Sequence, residues 1–159
     1  QFNLVTANTK IAFIDMDKVL STSKPGSSVL KQLNTINNIN FDGFKSDEKN
    51  LKEKEIKLIA QKNILSEVDF KSSLDKLKLE IKKYNEKRNK INNDFNKLKT
   101  DNTNKLLKMI NLILIKYSNE KSLSLILQKK NLIIGKIELD ITEDVIKIVN
   151  SDIDEFNIK

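Results

Sequence analysis

The sequence predicts an α+β protein, with a small β body of three strands per chain and a long antiparallel helical hairpin forming a coiled-coil arm. Three observations carry this reading. Apolar residues keep a heptad spacing through the middle of the chain. Short apolar runs of strand character lie near both ends. Loop-forming residues are scarce, with 3 glycines and 1 proline in 159 residues. At 38% hydrophobic and 32% charged residues the chain has little apolar surface for a single compact globule, and with no Trp its core must be aliphatic.

The first element is the run Ile11 to Asp15 in "KIAFIDMDKVL", a short strand followed by an exit through Pro25 and Gly26, where body gives way to arm. A helix from Ser27 to about Lys62 follows, roughly 50 Å long at about 1.5 Å per residue. Along it Leu30, Asn37, Phe44, Leu51, Leu58 and Leu65 recur every seven residues, but the matching positions Asn40, Asp47, Lys54 and Gln61 are polar. Half a seam suits an antiparallel partner touched along a narrow stripe, leaving the other faces wet or facing a cavity. Ser66 and Asp69 resemble a capping box with Asp in place of Glu or Gln, so the chain reverses at residues 63 to 69, one continuous helix with a stutter being the alternative.

The returning helix places Phe70, Leu74, Leu77, Ile81, Tyr84, Arg88, Ile91, Phe95 and Leu98 at alternating steps of four and three, a seam interrupted only by Arg88. "LLKMINLILIKY" at 106 to 117 is apolar almost all round and needs burial on several sides, so there the arm enters the body. "LSLIL" and "NLIIGK" around the polar "QKK" read as a β-hairpin. A helix follows from about Ile141, with Asp140 and Glu143 as its capping box and Ile141, Val145, Ile148 and Val149 as its buried face. The body is then residues 1 to 26 with 117 to 159, and the arm residues 27 to 116. Three strands with exposed apolar edges need cover from another chain, the alternative being that "KIAFID" packs on helices of its own chain.

Chemistry is bounded by what the composition lacks. No Cys and no His removes thiol and imidazole catalysis and the common zinc ligand sets, and neither a nucleophile elbow nor a glycine-rich phosphate loop occurs. The expectation is a protein that is not an enzyme and uses no cofactor. The acidic pair Asp15 and Asp17 sits at a strand end, where a solvated cap is the ordinary reading. No apolar run reaches membrane-spanning length, and "QFNLVTANT" has neither the basic nor the apolar region of a signal peptide, as a mature exported chain would.

Charge concentrates in the arm. Residues 44 to 118 carry nineteen basic and eleven acidic groups, more than the whole net charge of +7. Of the 29 basic residues only Arg88 is not Lys, a bias of genomic kind. The densest cluster, Lys82, Lys83, Lys87, Arg88 and Lys90, is the candidate contact for an acidic client or lipid headgroup, against the plainer reading of a solvated coiled-coil face. Phe41, Ile56, Ile59 and Ile64 are apolar residues left off the seam and are the candidate inner contacts for a client.

The order of "KIAFIDMDKVL", a charged hairpin, "LSLILQKKNLIIG" and "DITEDVIKIV" resembles the Skp (OmpH-like) family of periplasmic chaperones, most specifically at Ile11 to Met16 and at Asp140, Ile141, Thr142 and Val145. The stretch Ser28 to Phe44 is longer than the family's counterpart and contains Gly43, a candidate kink. The resemblance implies a homotrimer whose nine strands form a barrel-like core, with trimer contacts through positions such as Ala12, Ile14, Leu125, Leu127 and Ile133. It further implies that three arms hold unfolded outer-membrane β-barrel proteins in a cavity without ATP, in the periplasm after signal removal; anionic lipid or lipopolysaccharide is a further candidate contact, from the charge of the arm and not from the resemblance. Two other classes compete: a structural coiled-coil scaffold, and a nucleic-acid-binding coiled coil. The second has the charge for it but only one Arg, no aromatic stacking platform and eleven acidic groups on the arm, so no specific nucleic acid is expected.

Overall fold

The computed structural model of the protein describes residues 9–159. Residues 1–8, which the sequence reading assigns to the start of the body, lie outside them. In chain order the elements are β1 (Ile11–Ile14), α1 (Met16–Thr22), α2 (Lys24–Ala60), α3 (Glu67–Glu120), β2 (Leu125–Gln128), two single-turn 3-10 segments (Lys129–Asn131 and Ile137–Leu139) and α4 (Thr142–Asp152). The chain divides into two compact units, Gln1–Gln32 with Thr100–Lys159, and Leu33–Lys99.

In the first unit β1 pairs with β2 in parallel, Ile11 opposite Leu125 through Ile14 opposite Gln128. Phe13 also forms a single bridge to Asp140, where the Ile141 amide donates to the Phe13 carbonyl at 3.0 Å. The expected hairpin and third strand therefore do not form within the described chain. Two lysines and an asparagine fold into a 3-10 turn directly after β2, and Leu132–Lys136 joins no sheet among the described residues. The core lies where α1, α3 and α4 close over the sheet: Ala12, Ile14, Val19, Leu106, Ile110, Ile113, Tyr117, Val145, Ile146 and Val149 are all buried. The stretch 106–117 is thus buried along one side, but Leu112 and Ile115 stay exposed on the other.

The sequence reading places no helix between strand and proline, yet α1 occupies that stretch. Asp15 is its N-cap, accepting from the Lys18 amide at 2.9 Å, which bears out the cap reading of the Asp15–Asp17 pair for Asp15. The break falls at Ser23, whose hydroxyl accepts from the Gly26 amide at 3.3 Å, so Pro25 and Gly26 belong to the first turn of α2 rather than to an exit loop. Proline is tolerated there because first-turn amides have no intrahelical acceptor. A side chain at Gly26 would stand 1.9 Å from the Leu20 carbonyl oxygen, so the α1–α2 corner requires glycine.

The second unit is a helical hairpin. Ser66 caps α3: its hydroxyl accepts from the Asp69 amide at 3.1 Å and donates to the Asp69 carboxylate at 2.6 Å, so the reversal falls where the capping pattern puts it. The shorter Asp turns back to the cap hydroxyl, where Glu or Gln would reach the cap amide. Leu58 and Leu77 are buried and Phe44, Leu51, Phe70, Leu74, Ile91, Phe95 and Leu98 half-buried, which is the narrow seam the spacing predicts; Ile81 and Arg88 are exposed. Near the start of α2 the stripe departs from that spacing. Val29 and Leu33 are buried and Ile36 and Asn40 half-buried, whereas Leu30 and Asn37 face solvent. A strict seven-residue repeat drifts around a helix of 3.6 residues per turn, and a four-residue step from Asn40 to Phe44 resets it. Gly43 lies within α2, which runs unbroken from Lys24 to Ala60.

At α4 the expected box is replaced. Asp140 accepts from the Thr142 amide at 3.0 Å and from the Thr142 hydroxyl, while Glu143 pairs with Lys18 of α1 instead of reaching back to the cap.

Candidate functional site

The helical-hairpin unit has a thin apolar seam and a strongly polar surface, and its features follow from that shortage of core. Cross-helix polar contacts supplement the seam. Lys87 meets Asp47 at 2.7 Å, Arg88 meets Glu48 at 3.2 Å and stacks over the Phe44 ring at 5.6 Å, the Tyr84 hydroxyl donates to Glu48 at 2.6 Å, and Lys54 pairs with Glu80. Partner numbers on α3 rise as those on α2 fall, the signature of antiparallel helices. Burial raises the Tyr84 hydroxyl above its usual range, and Glu48 adds to this by hydrogen bond and charge.

These contacts define what the lysine-rich cluster can do. Lys82 and Glu86 stand 4.0 Å apart, Lys90 and Asp94 2.6 Å apart, and Lys87 and Arg88 reach across to α2. Four of the five basic side chains are thus shared with carboxylates, and Lys83 is the member with no ion pair among the described residues. Exposed pairs of this kind contribute about 0–1 kcal/mol each and open readily, so the cluster is a rack of exchangeable charges rather than a preformed anion pocket. Residues 33–99 keep sixteen basic against eleven acidic side chains, a net +5.

The apolar candidates all project into solvent: Ile56 is 57% exposed and Ile64 79% exposed, with Ile59 and Phe41 between them in degree. The sequence reading passed over Ile39 on α2 and, on α3, Val68 (77% exposed) and Leu79. Val68 and Leu79 border a shallow groove with Lys71, Ser72, Asp75 and Lys76. Both lie off the four-three spacing of the α3 seam, as Ile56 and Ile59 lie off that of α2, so the same sequence signal marks them.

In the body the five assembly candidates separate. Ala12 and Ile14 are buried in the chain's own core and Leu127 is half-buried, whereas Leu125 is exposed and Ile133 fully so at 104%. Ile134, at 91%, and Ile137 join them, so a patch of bare isoleucine sits beside the strand pair. Gly135 lies against Phe13, where an added Cβ would come within 2.7 Å of the ring. Asp140 anchors this end of the patch. Burial alone would raise its carboxyl, but the Thr142 hydroxyl, the Lys129 ammonium at 2.9 Å and the Thr142 amide outweigh it and hold the group below the usual carboxylate range.

Among the described residues no three His, Cys, Asp or Glu side chains gather as metal ligands, and no helix is long and apolar enough to cross a membrane. Large apolar side chains thus stand exposed on a basic helical hairpin and again beside the two-stranded sheet. The OmpH-like outer membrane protein family model matches residues 10–149, and the chain belongs to that family. Its fold matches the crystal structure of a Caulobacter crescentus CB15 protein assigned as an outer membrane chaperone (OmpH-like), with a TM-score of 0.84 at 14% identity over 100% of this chain and 94% of that one. No curated protein matches the sequence.

Proposed function

We propose that the protein is an ATP-independent holdase chaperone that shields unfolded outer-membrane β-barrel proteins between basic helical arms. The observation that carries this is the set of large apolar side chains, Phe41, Ile56, Ile59 and Ile64, left in solvent on helices that spend few apolar residues on their own packing. An unfolded barrel protein presents rows of alternating apolar residues and unpaired strand edges, which aggregate when left uncovered. Scattered apolar contacts on polar helices cover such rows without preferring one sequence, and each is weak enough to be released when the client folds into a membrane. The +5 of the arm draws in clients or lipid headgroups of negative charge, anionic lipid and lipopolysaccharide among them, with Lys82, Lys83, Lys87, Arg88 and Lys90 as the densest station. Family membership supports this reading and, with it, a periplasmic location.

The working form is a homotrimer. Ile133 and Ile134 are too exposed for a stable surface in isolation, and Leu132 and Lys136 around them have extended backbone angles. Supplied across a chain boundary, this segment provides a third strand per chain beyond the two among the described residues, closing a barrel-like core. Solution mass at micromolar and nanomolar concentration tests assembly, with three chains per particle expected and a monomer throughout contradicting it. For the holding role, a labelled β-barrel protein diluted from urea is titrated with the chain. Replacing Phe41, Ile56, Ile59 and Ile64 by Ser is expected to weaken binding at least about tenfold, the equivalent of about 1.4 kcal/mol. Unchanged affinity in that variant would remove these residues from the binding surface.

A further inference from the structure

Beyond α4 the chain continues past the residues the family model matches and lies across the two long helices where they leave the body core. Ile153, the α4 C-cap, is buried. After it the chain has no regular structure, and side chains of α2 and α3 hold its backbone. The Gln32 amide on α2 uses both ends: its nitrogen donates to the Phe156 carbonyl at 2.9 Å, and its oxygen accepts from the Ile158 amide at 3.2 Å. On α3, the Asn102 side-chain nitrogen donates to the Lys159 carbonyl at 3.4 Å, and the Lys105 ammonium sits 4.3 Å over the Phe156 ring. Gln32, Asn102 and Lys105 all belong to the same compact unit as the tail.

We propose that residues 154–159 form a releasable strap that fixes the spacing of α2 and α3 at the root of the hairpin. The physical reasons are specific. A glutamine pairing with alternate backbone groups imitates the contact a neighbouring strand would make, so it holds an extended segment by its main chain rather than by its sequence. Asn102 occupies a buried position, 5% exposed, next after Leu98 in the four-three spacing of the α3 seam, and a polar residue there costs packing. Its contact with the strap gives that polar residue a partner on the tail. Phe156 packs on the rim of the core and is only half-buried, and the rest of residues 154–159 is half-buried or exposed, so opening of the strap is a local event separate from unfolding of the body. Closed, it ties the root turns of both helices; open, it leaves them held by their apolar packing alone.

Hydrogen exchange on the full chain tests this with two variants. Gln32→Met keeps the side chain's length and apolar stem but removes both contacts to the tail backbone, together with the longer ones to the Ser28 carbonyl and hydroxyl at 3.4 and 3.3 Å; truncation after Ile153 removes the strap and leaves the Ser28 contacts in place. Both are expected to speed exchange at residues 29–36 and 100–108 by about tenfold, as the loss of two hydrogen bonds gives, with α4 and β1 amides unchanged. Three results would overturn the proposal: no change in either variant, faster exchange spread evenly through the body, or an effect of truncation that Gln32→Met does not reproduce.

Discussion

Single residues decide the corners of this molecule. Gly26 is irreplaceable on steric grounds, because a methyl group would meet the Leu20 carbonyl and the α1–α2 corner would have to open. Gly26→Ala is expected to cost about 3 kcal/mol, read from urea unfolding. Gly43 is the opposite case: an added Cβ there meets nothing within 4 Å, so Gly43→Ala should stabilise the helix by about 0.5–1 kcal/mol by the same measurement. Asp140 sets a pH dependence. Its folded carboxyl lies below the unfolded value of about 3.9, so its contribution is full above that pH and is lost as the pH falls through the folded value. Asp140→Asn should therefore lower stability at neutral pH and flatten the loss on acidification, measured as midpoint temperature from pH 7 to pH 2. Sequence alone singled out Asp140 as a cap, but not that its partners would be Thr142 and Lys129, because a partner eleven residues away across a 3-10 turn leaves no periodic trace.

Among the elements, legibility followed periodicity. The α3 seam and the reversal at Ser66 were readable because heptad spacing and a capping pattern are local signals. Ser66→Ala should cost about 1 kcal/mol and loosen the first turn of α3, seen as faster amide exchange at residues 67–70. The body was less legible. A seven-residue helix such as α1 is too short to display a period, so "DMDKVLST" passed for a connection. The run "NLIIGK" has strand composition without a strand partner among the described residues, and composition alone does not say whether such a run finds a partner strand. The same limit applies to Ala12 and Ile14: alternation marks them as strand residues, but their burial under α1, α3 and α4 depends on contacts far along the chain.

At the scale of the whole molecule, apolar surface is divided unevenly. The body unit gathers most of the fully buried residues, while the hairpin unit spends its few on a narrow seam, keeps a net +5 and leaves Phe41, Ile59, Ile64 and Val68 to solvent. Such a surface predicts capture that begins with charge and ends with apolar contact. Association with an acidic unfolded client should slow as salt rises from about 50 mM to about 500 mM, while complexes already formed change less, measured by stopped-flow fluorescence. The holding role itself is tested most directly by light scattering of a β-barrel protein diluted from urea. Scattering should fall to near baseline when the chain is present at about one assumed trimer per client, without ATP. Aggregation that proceeds undiminished at that ratio would contradict the account.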